Sequence, residues 1–197
     1  FDLVVVFHAG VGKDIDVGFD ETPQDIPSLY LTESFLKEAL GEDFGGIPVD
    51  NGQSPPVRNG IILPETENQE GLNIALSGIF ISNIGSYLGM PDLFSPSTQR
   101  SGVGRFALMD VGLLNLNGLV PSVPGAFTRE LVGWSEPRVI RSPEDGIQVA
   151  RRGSDAMAAT PDIIRIPIND SEYYLLEYRG RYDVNIDSLY FELFQQN

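Results

Sequence analysis

The chain has 197 residues, a formal charge of -15 from 13 Lys plus Arg against 28 Asp plus Glu, 42% apolar residues and no cysteine. The length suits one domain with a sizeable core or two small lobes, and a charged share of 21% marks a globular rather than a disordered chain. The acidic balance argues against nucleic acid and anionic membranes as partners, the lack of cysteine removes disulfides and Cys-based metal sites, and no stretch is apolar enough for membrane insertion.

Residues 2–8 (DLVVVFH) are a continuous apolar, β-branched run, which predicts a strand buried on both faces. The glycine turn Ala9-Gly10-Val11-Gly12 closes it. The chain opens at Phe1 with no start Met and no visible signal peptide. This predicts a fragment or processed piece whose N-terminal neighbours, including part of the same domain, lie outside it. Residues 14–25 form an acidic loop containing Asp14, Asp16, Asp20, Glu21 and Asp25. Calcium takes six to eight oxygens from closely spaced carboxylates, so Asp14, Asp16, Asp20 and Glu21 are a candidate calcium site. The spacing is not that of an EF-hand, and a solvated acidic loop is the competing reading.

Pro27 sits where a first helical residue tolerates proline, and residues 29–40 carry Leu31, Phe35, Leu36, Ala39 and Leu40 at helical spacing, with Gly41 as the stop. Residues 42–59 read as a long loop and residues 60–64 (GIILP) as a short strand. A second helix is predicted over residues 70–88, where Leu72, Ala75, Leu76, Ile79, Phe80 and Ile84 make a broad apolar side. Gly89 fits its C-terminal cap and Pro91 forbids continuation. Residues 91–124 are irregular, and residues 124–134 predict a short third helix, with Phe127 and Trp134 read as core. After Pro137 the texture changes to strand-like runs at 138–141, 146–151, 162–168 and 172–179. The expected division is an α/β lobe over 1–136 and a β-rich lobe over 137–197.

The segment Ile81-Ser-Asn-Ile-Gly-Ser-Tyr-Leu-Gly-Met-Pro-Asp-Leu93 holds the most information. Metzincin-type zinc peptidases use H-E-x-x-H-x-x-G-x-x-H or a close variant, with two His on one helix face, a Gly turn and a returning third ligand. Alignment on the Gly turn puts Ser82 and Ser86 at the His positions, Asn83 at the general-base Glu, Gly89 at the turn and Asp92 at the third ligand. The G-x-P-D-L turn, the run Ser101–Asp110 (SGVGRFALMD), residues 121–137 and the strand ending Phe7-His8-Ala9-Gly10 together resemble the immune inhibitor A group of metallopeptidases. That resemblance covers most of residues 2–137, and the strands to Arg179 more loosely. It implies an α/β, zincin-like mixed sheet with a central active-site-type helix, followed by a β-rich C-terminal lobe. It also implies a Met-turn at Leu108, Met109 and Asp110, and a secreted or extracellular setting.

The same alignment implies that zinc chemistry has been lost. Serine hydroxyls are short, neutral and poor zinc ligands, and Asp92 alone falls below the usual three protein ligands. Asn83 does not titrate, so it cannot act as general base. The expectation is a pseudo-metallopeptidase without catalytic residues or zinc, its Ser82 and Ser86 hydroxyls bonded back to helix carbonyls or water. Its role would be that of a binding or structural module for a protein or polypeptide partner, possible also as a subunit of a larger extracellular assembly. The alternative is an active zinc peptidase with rearranged ligands such as His8 and Asp92. His8 is otherwise read as a satisfied structural histidine or part of the cleft wall, and Arg105 and Asp110 as a pair or a loop brace.

Overall fold

The computed structural model describes residues 3–14, 25–68, 71–154, 157 and 159–179. The protein is a mixed α/β chain with small sheets, and it divides into two compact units, Phe1–Thr128 and Arg129–Asn197. The division falls within a short helix, ahead of the compositional shift at Pro137.

The first unit is built on a three-stranded mixed sheet of β1 (Val5–Val11), β2 (Leu29–Leu31) and β3 (Gly60–Thr66) in the order β1-β3-β2. β1 runs parallel to β3, from Val5 opposite Ile61 to Val11 opposite Thr66, and β2 runs antiparallel to it, with Tyr30 opposite Ile61. β3 is therefore the central strand, and its Ile61 and Leu63 are essentially sealed from solvent. The continuous apolar run of β1 reads like a central strand, but among the described residues the run is an edge, and Val6 and Phe7 are more than half exposed.

Helix α1 (Glu33–Leu40) begins later than its periodicity predicts. Thr32 caps it, its hydroxyl accepting from the Phe35 N–H at 3.1 Å, and this frees Leu29, Tyr30 and Leu31 to pair with β3 as β2. Helix α2 (Leu76–Tyr87) also begins late. The Ala75 and Gly78 N–H groups donate to the carbonyls of Asn117 and Gly118, so a distant loop, rather than further helix, satisfies the amino end. Leu72 is exposed and lies before the helix, and the predicted start at Glu70 lies outside the described residues. Ile79 of α2 packs on Ile61 and Leu63, ringed by Leu3, Val5, Tyr30, Phe80, Ile84 and Leu113. Each of these three buried side chains contributes roughly 1.5–3 kcal/mol by leaving water.

A two-stranded ribbon, β4 (Phe94–Ser95) with β5 (Arg100–Ser101), and 3₁₀ turns at Gly104–Phe106 and Val111–Leu114 follow α2. Helix α3 is Ala126–Leu131, shorter than predicted. Phe127 and Trp134, expected in the core, are 43% and 56% exposed. The short helix buries the small Ala126 and Thr128 instead.

The second unit carries a three-stranded sheet, β6 (Arg138–Val139), β7 (Ile163–Pro167) and β8 (Tyr173–Glu177), in that order. The run 146–151 forms no strand: Arg151 makes an isolated bridge to Tyr178, and Ala150 bonds to the Pro161 carbonyl. Buried Arg129 pairs with Asp162 and Glu177 and donates to the Ser135 hydroxyl, so the charge taken out of water is matched on several sides. Among the described residues no helix is long and apolar enough to cross a membrane.

Candidate functional site

The C-terminal end of α2 positions the site. Gly89 adopts φ 87°, a left-handed conformation that glycine enters without steric cost. The Met90 N–H then reaches the Gly85 carbonyl at 2.9 Å and the Gly89 N–H reaches Ser86 at 3.0 Å, the paired bonds of a Schellman cap. Pro91 follows and the chain turns away. The Leu93 N–H donates to the Met109 carbonyl at 2.7 Å, which ties the segment holding Asp92 to the segment holding Met109.

Met109 packs against α2 where the helix has no side chain. A Cβ on Gly85 would lie 2.7 Å from the Met109 sulfur and 3.2 Å from that of Met90. Leu108, Met109 and Asp110 are all buried. Asp110 closes its own loop: its carboxylate accepts from the Ser101 hydroxyl and from the N–H groups of Val103, Gly104 and Val111, at 2.7 to 3.0 Å. Burial alone would raise its pKa, but these donors outweigh it and hold the carboxyl below its ordinary range. The spacing of the Ser101–Asp110 run thus has a local cause, because its last residue binds three of its first four. Arg105 is not the partner of Asp110; it reaches Asn115, and among the described residues the loop is braced without an ion pair.

Ser82, Asn83, Ser86, Asp92, Met109 and Asp110 all line one cleft of about 580 Å³, a volume typical of ligand sites. Asp14, Ser28, Tyr30, Thr32 and Phe94 share its walls. The α2 side chains are turned inward on the helix. The Ser82 hydroxyl and the Asn83 amide donate to the Ile79 carbonyl at 2.8 and 3.0 Å, and the Ser86 hydroxyl donates to the Ser82 carbonyl at 3.3 Å. Asp92 is exposed as a residue, and its carboxyl meets no donor among the described residues. Partial desolvation raises its pKa. These groups do not fit zinc: two short hydroxyls committed to backbone carbonyls and one carboxylate do not make a three-ligand site.

His8 is not a cleft residue. Its Nδ1 sits 2.9 Å from the Ala9 carbonyl, and its buried Nε2 has no partner among the described residues. Of the candidate calcium residues, Asp16, Asp20 and Glu21 lie outside the described residues. Asp14 lies within them, and its Oδ2 accepts from the Ser28 N–H at 2.9 Å. Among the described residues no group of three or more His, Cys, Asp or Glu is placed to hold a metal ion.

Two features of the site carried no sequence signal. One is Tyr30, from the strand mistaken for helix, which stacks edge-on against Tyr87 at 5.9 Å; desolvation, and then Tyr87, raises its phenol pKa. The other is Glu67, in the polar run Glu-Thr-Glu-Asn that ends β3, which is fully buried and lies behind the cleft residue Asp14 rather than on the cleft wall. It fits because Gly12 has no Cβ; one would lie 2.0 Å from the Glu67 Oε1. No N–H or hydroxyl donor reaches either Glu67 oxygen among the described residues. Its hydrogen bond is with the Asp14 carboxyl, which requires one of the two acids to hold a proton. Burial, then Asp14 and Asp25, push the Glu67 carboxyl up to about 8. At neutral pH Glu67 therefore keeps its proton.

No protein-family model, curated protein or solved structure matches the chain.

Proposed function

We propose that this chain is a non-catalytic relative of the immune inhibitor A type metallopeptidases, with a zincin-like arrangement around α2, acting outside the cell as a module that binds extended polypeptide. The observation that carries the reading is the division of labour in the cleft. The shaping parts (the Gly89 cap, the Asp92 turn and the buried Met109–Asp110 loop) are intact. The positions that would do chemistry hold Ser82, Asn83 and Ser86, all bonded to the carbonyls of their own helix.

Polypeptide is the favoured ligand because β2 pairs only with β3 among the described residues, and its Leu29 and Tyr30 line the cleft. An extended chain can add to a free strand edge through backbone hydrogen bonds while a side chain drops into the neighbouring pocket. Metal analysis of the purified protein, paired with a peptide-hydrolysis assay, tests the reading. The expected result is no stoichiometric zinc and no cleavage. Bound zinc whose removal by a chelator abolishes cleavage would establish the active peptidase instead.

A further inference from the structure

We propose that the cleft takes a cationic group, an ammonium or guanidinium, presented by a Lys or Arg side chain of the bound polypeptide. The inference deepens the polypeptide reading above and rests on it for the source of the cation, though not for the charge preference.

The geometry comes from three separate parts of the chain. Asp14 follows β1, Asp92 lies in the turn after α2, and Asp110 lies in the Met109 loop, and all three line the same cleft. No Lys, Arg or His is among its described lining residues. Asp110 has its donors within its own loop, so its negative charge is a fixed background. Asp92 has no donor among the described residues and is open to solvent, and Asp14 accepts the Ser28 N–H and is hydrogen-bonded to the Glu67 carboxyl. Behind Asp14, the wholly buried Glu67 carboxyl offers it no counter-charge.

Each class of ligand group meets this surface differently. An anion would be repelled by the wall carboxylates. A purely apolar group would strip water from Asp92 and leave it unpaired. A basic side chain satisfies both demands, because its methylene stem lies against Met109, Phe94 and Tyr30 while its head reaches a carboxylate.

The test uses labelled extended peptides, identical except for a central Lys, norleucine or Glu, titrated by fluorescence anisotropy. Nα-acetyl-lysine methylamide and its arginine counterpart serve as free cations followed by NMR. The Lys peptide should bind roughly ten-fold more tightly than the norleucine peptide and the Glu peptide more weakly still, with the Lys advantage shrinking as salt rises. Asp92→Asn should remove most of the Lys advantage, weakening Lys binding and, by lowering the desolvation cost, strengthening norleucine binding. If Lys and norleucine bind equally, the cation inference fails while the polypeptide reading stands. If no peptide binds but the free cations do, in a manner sensitive to Asp92→Asn, the cation inference stands and the polypeptide reading fails. If neither binds, the inference is overturned. Should Asp92→Asn not fold, the peptide series and its salt dependence decide with the wild-type protein.

Discussion

Replacing Glu67 with Gln keeps the shape of a wholly buried side chain and removes its ability to ionise. In the folded protein its carboxyl is pushed up to about 8, from an ordinary value of 4.5, by burial and by Asp14 and Asp25. The folded state therefore holds a proton that the unfolded chain releases as pH rises above 4.5. The stability linked to this proton is fully present below 4.5 and is lost as pH climbs through about 8. At about 1.4 kcal/mol per pH unit, the full loss is roughly 5 kcal/mol, falling toward about 2 if local opening lets water reach the carboxylate. Urea unfolding of the wild type and Glu67→Gln across about pH 5 to pH 9 reads this directly as a difference between two curves. The variant should match the wild type near pH 5 within about 1 kcal/mol and exceed it by roughly 2 kcal/mol or more near pH 9. Because the comparison is a difference, the raised Asp92 cancels. Parallel curves over that range would refute the placement of Glu67 in a donor-free pocket beside Asp14.

Two glycines of α2 should respond unequally to alanine. A Cβ on Gly78 lies 1.8 Å from the Leu113 carbonyl oxygen, a fixed backbone atom, whereas on Gly85 it meets flexible methionine sulfurs. Gly78→Ala should cost about 3 kcal/mol or more. Gly85→Ala should cost about 1 kcal/mol or less, part of its strain being offset by helix propensity; thermal melts rank the two. Asp110→Asn turns an amide toward N–H donors and should cost roughly 2–4 kcal/mol at neutral pH. Asp110 is held below its ordinary 3.8, so its stabilisation is present above that value and is lost as pH falls below it. The gap between wild type and Asp110→Asn should accordingly close in acid unfolding curves. Finally, the triple variant Ser82→His, Asn83→Glu, Ser86→His should gain stoichiometric zinc by metal analysis while the wild type shows none. A folded triple variant without zinc would sink the alignment of these positions with a metal site.

Much of the cleft was legible in the chain because its parts are local. The Gly89 cap, the Pro91 stop and the closure of the Ser101–Asp110 run are each made by residues within about a turn or a loop of one another, so order and spacing carry them. The apolar side of α2 was equally visible, since Ile79, Phe80 and Ile84 follow the helical period. Helix starts were the weaker part. Thr32, just ahead of Glu33 and Ser34, offered a capping signal for α1 that the apolar spacing of Leu31 onward obscured. For α2 no local signal existed, because the loop carbonyls at Asn117 and Gly118 set its first turn.

By itself, then, the sequence determined an acidic, cysteine-free α/β chain, the glycine-proline turn beyond α2, and the small polar side chains Ser82, Asn83 and Ser86 ahead of it. Tertiary structure decided the rest. Among the described residues it made β1 an edge rather than a central strand, since pairing depends on which neighbours arrive and not on the apolar content of one run. It also brought Tyr30, Asp14 and Asp110 to the wall that Ser82 and Asp92 share, and sealed Glu67 behind Gly12. Burial and the distance between charges exist only once remote segments meet, so the charge of the cleft and the pH response of Glu67 could not be read before the fold was known.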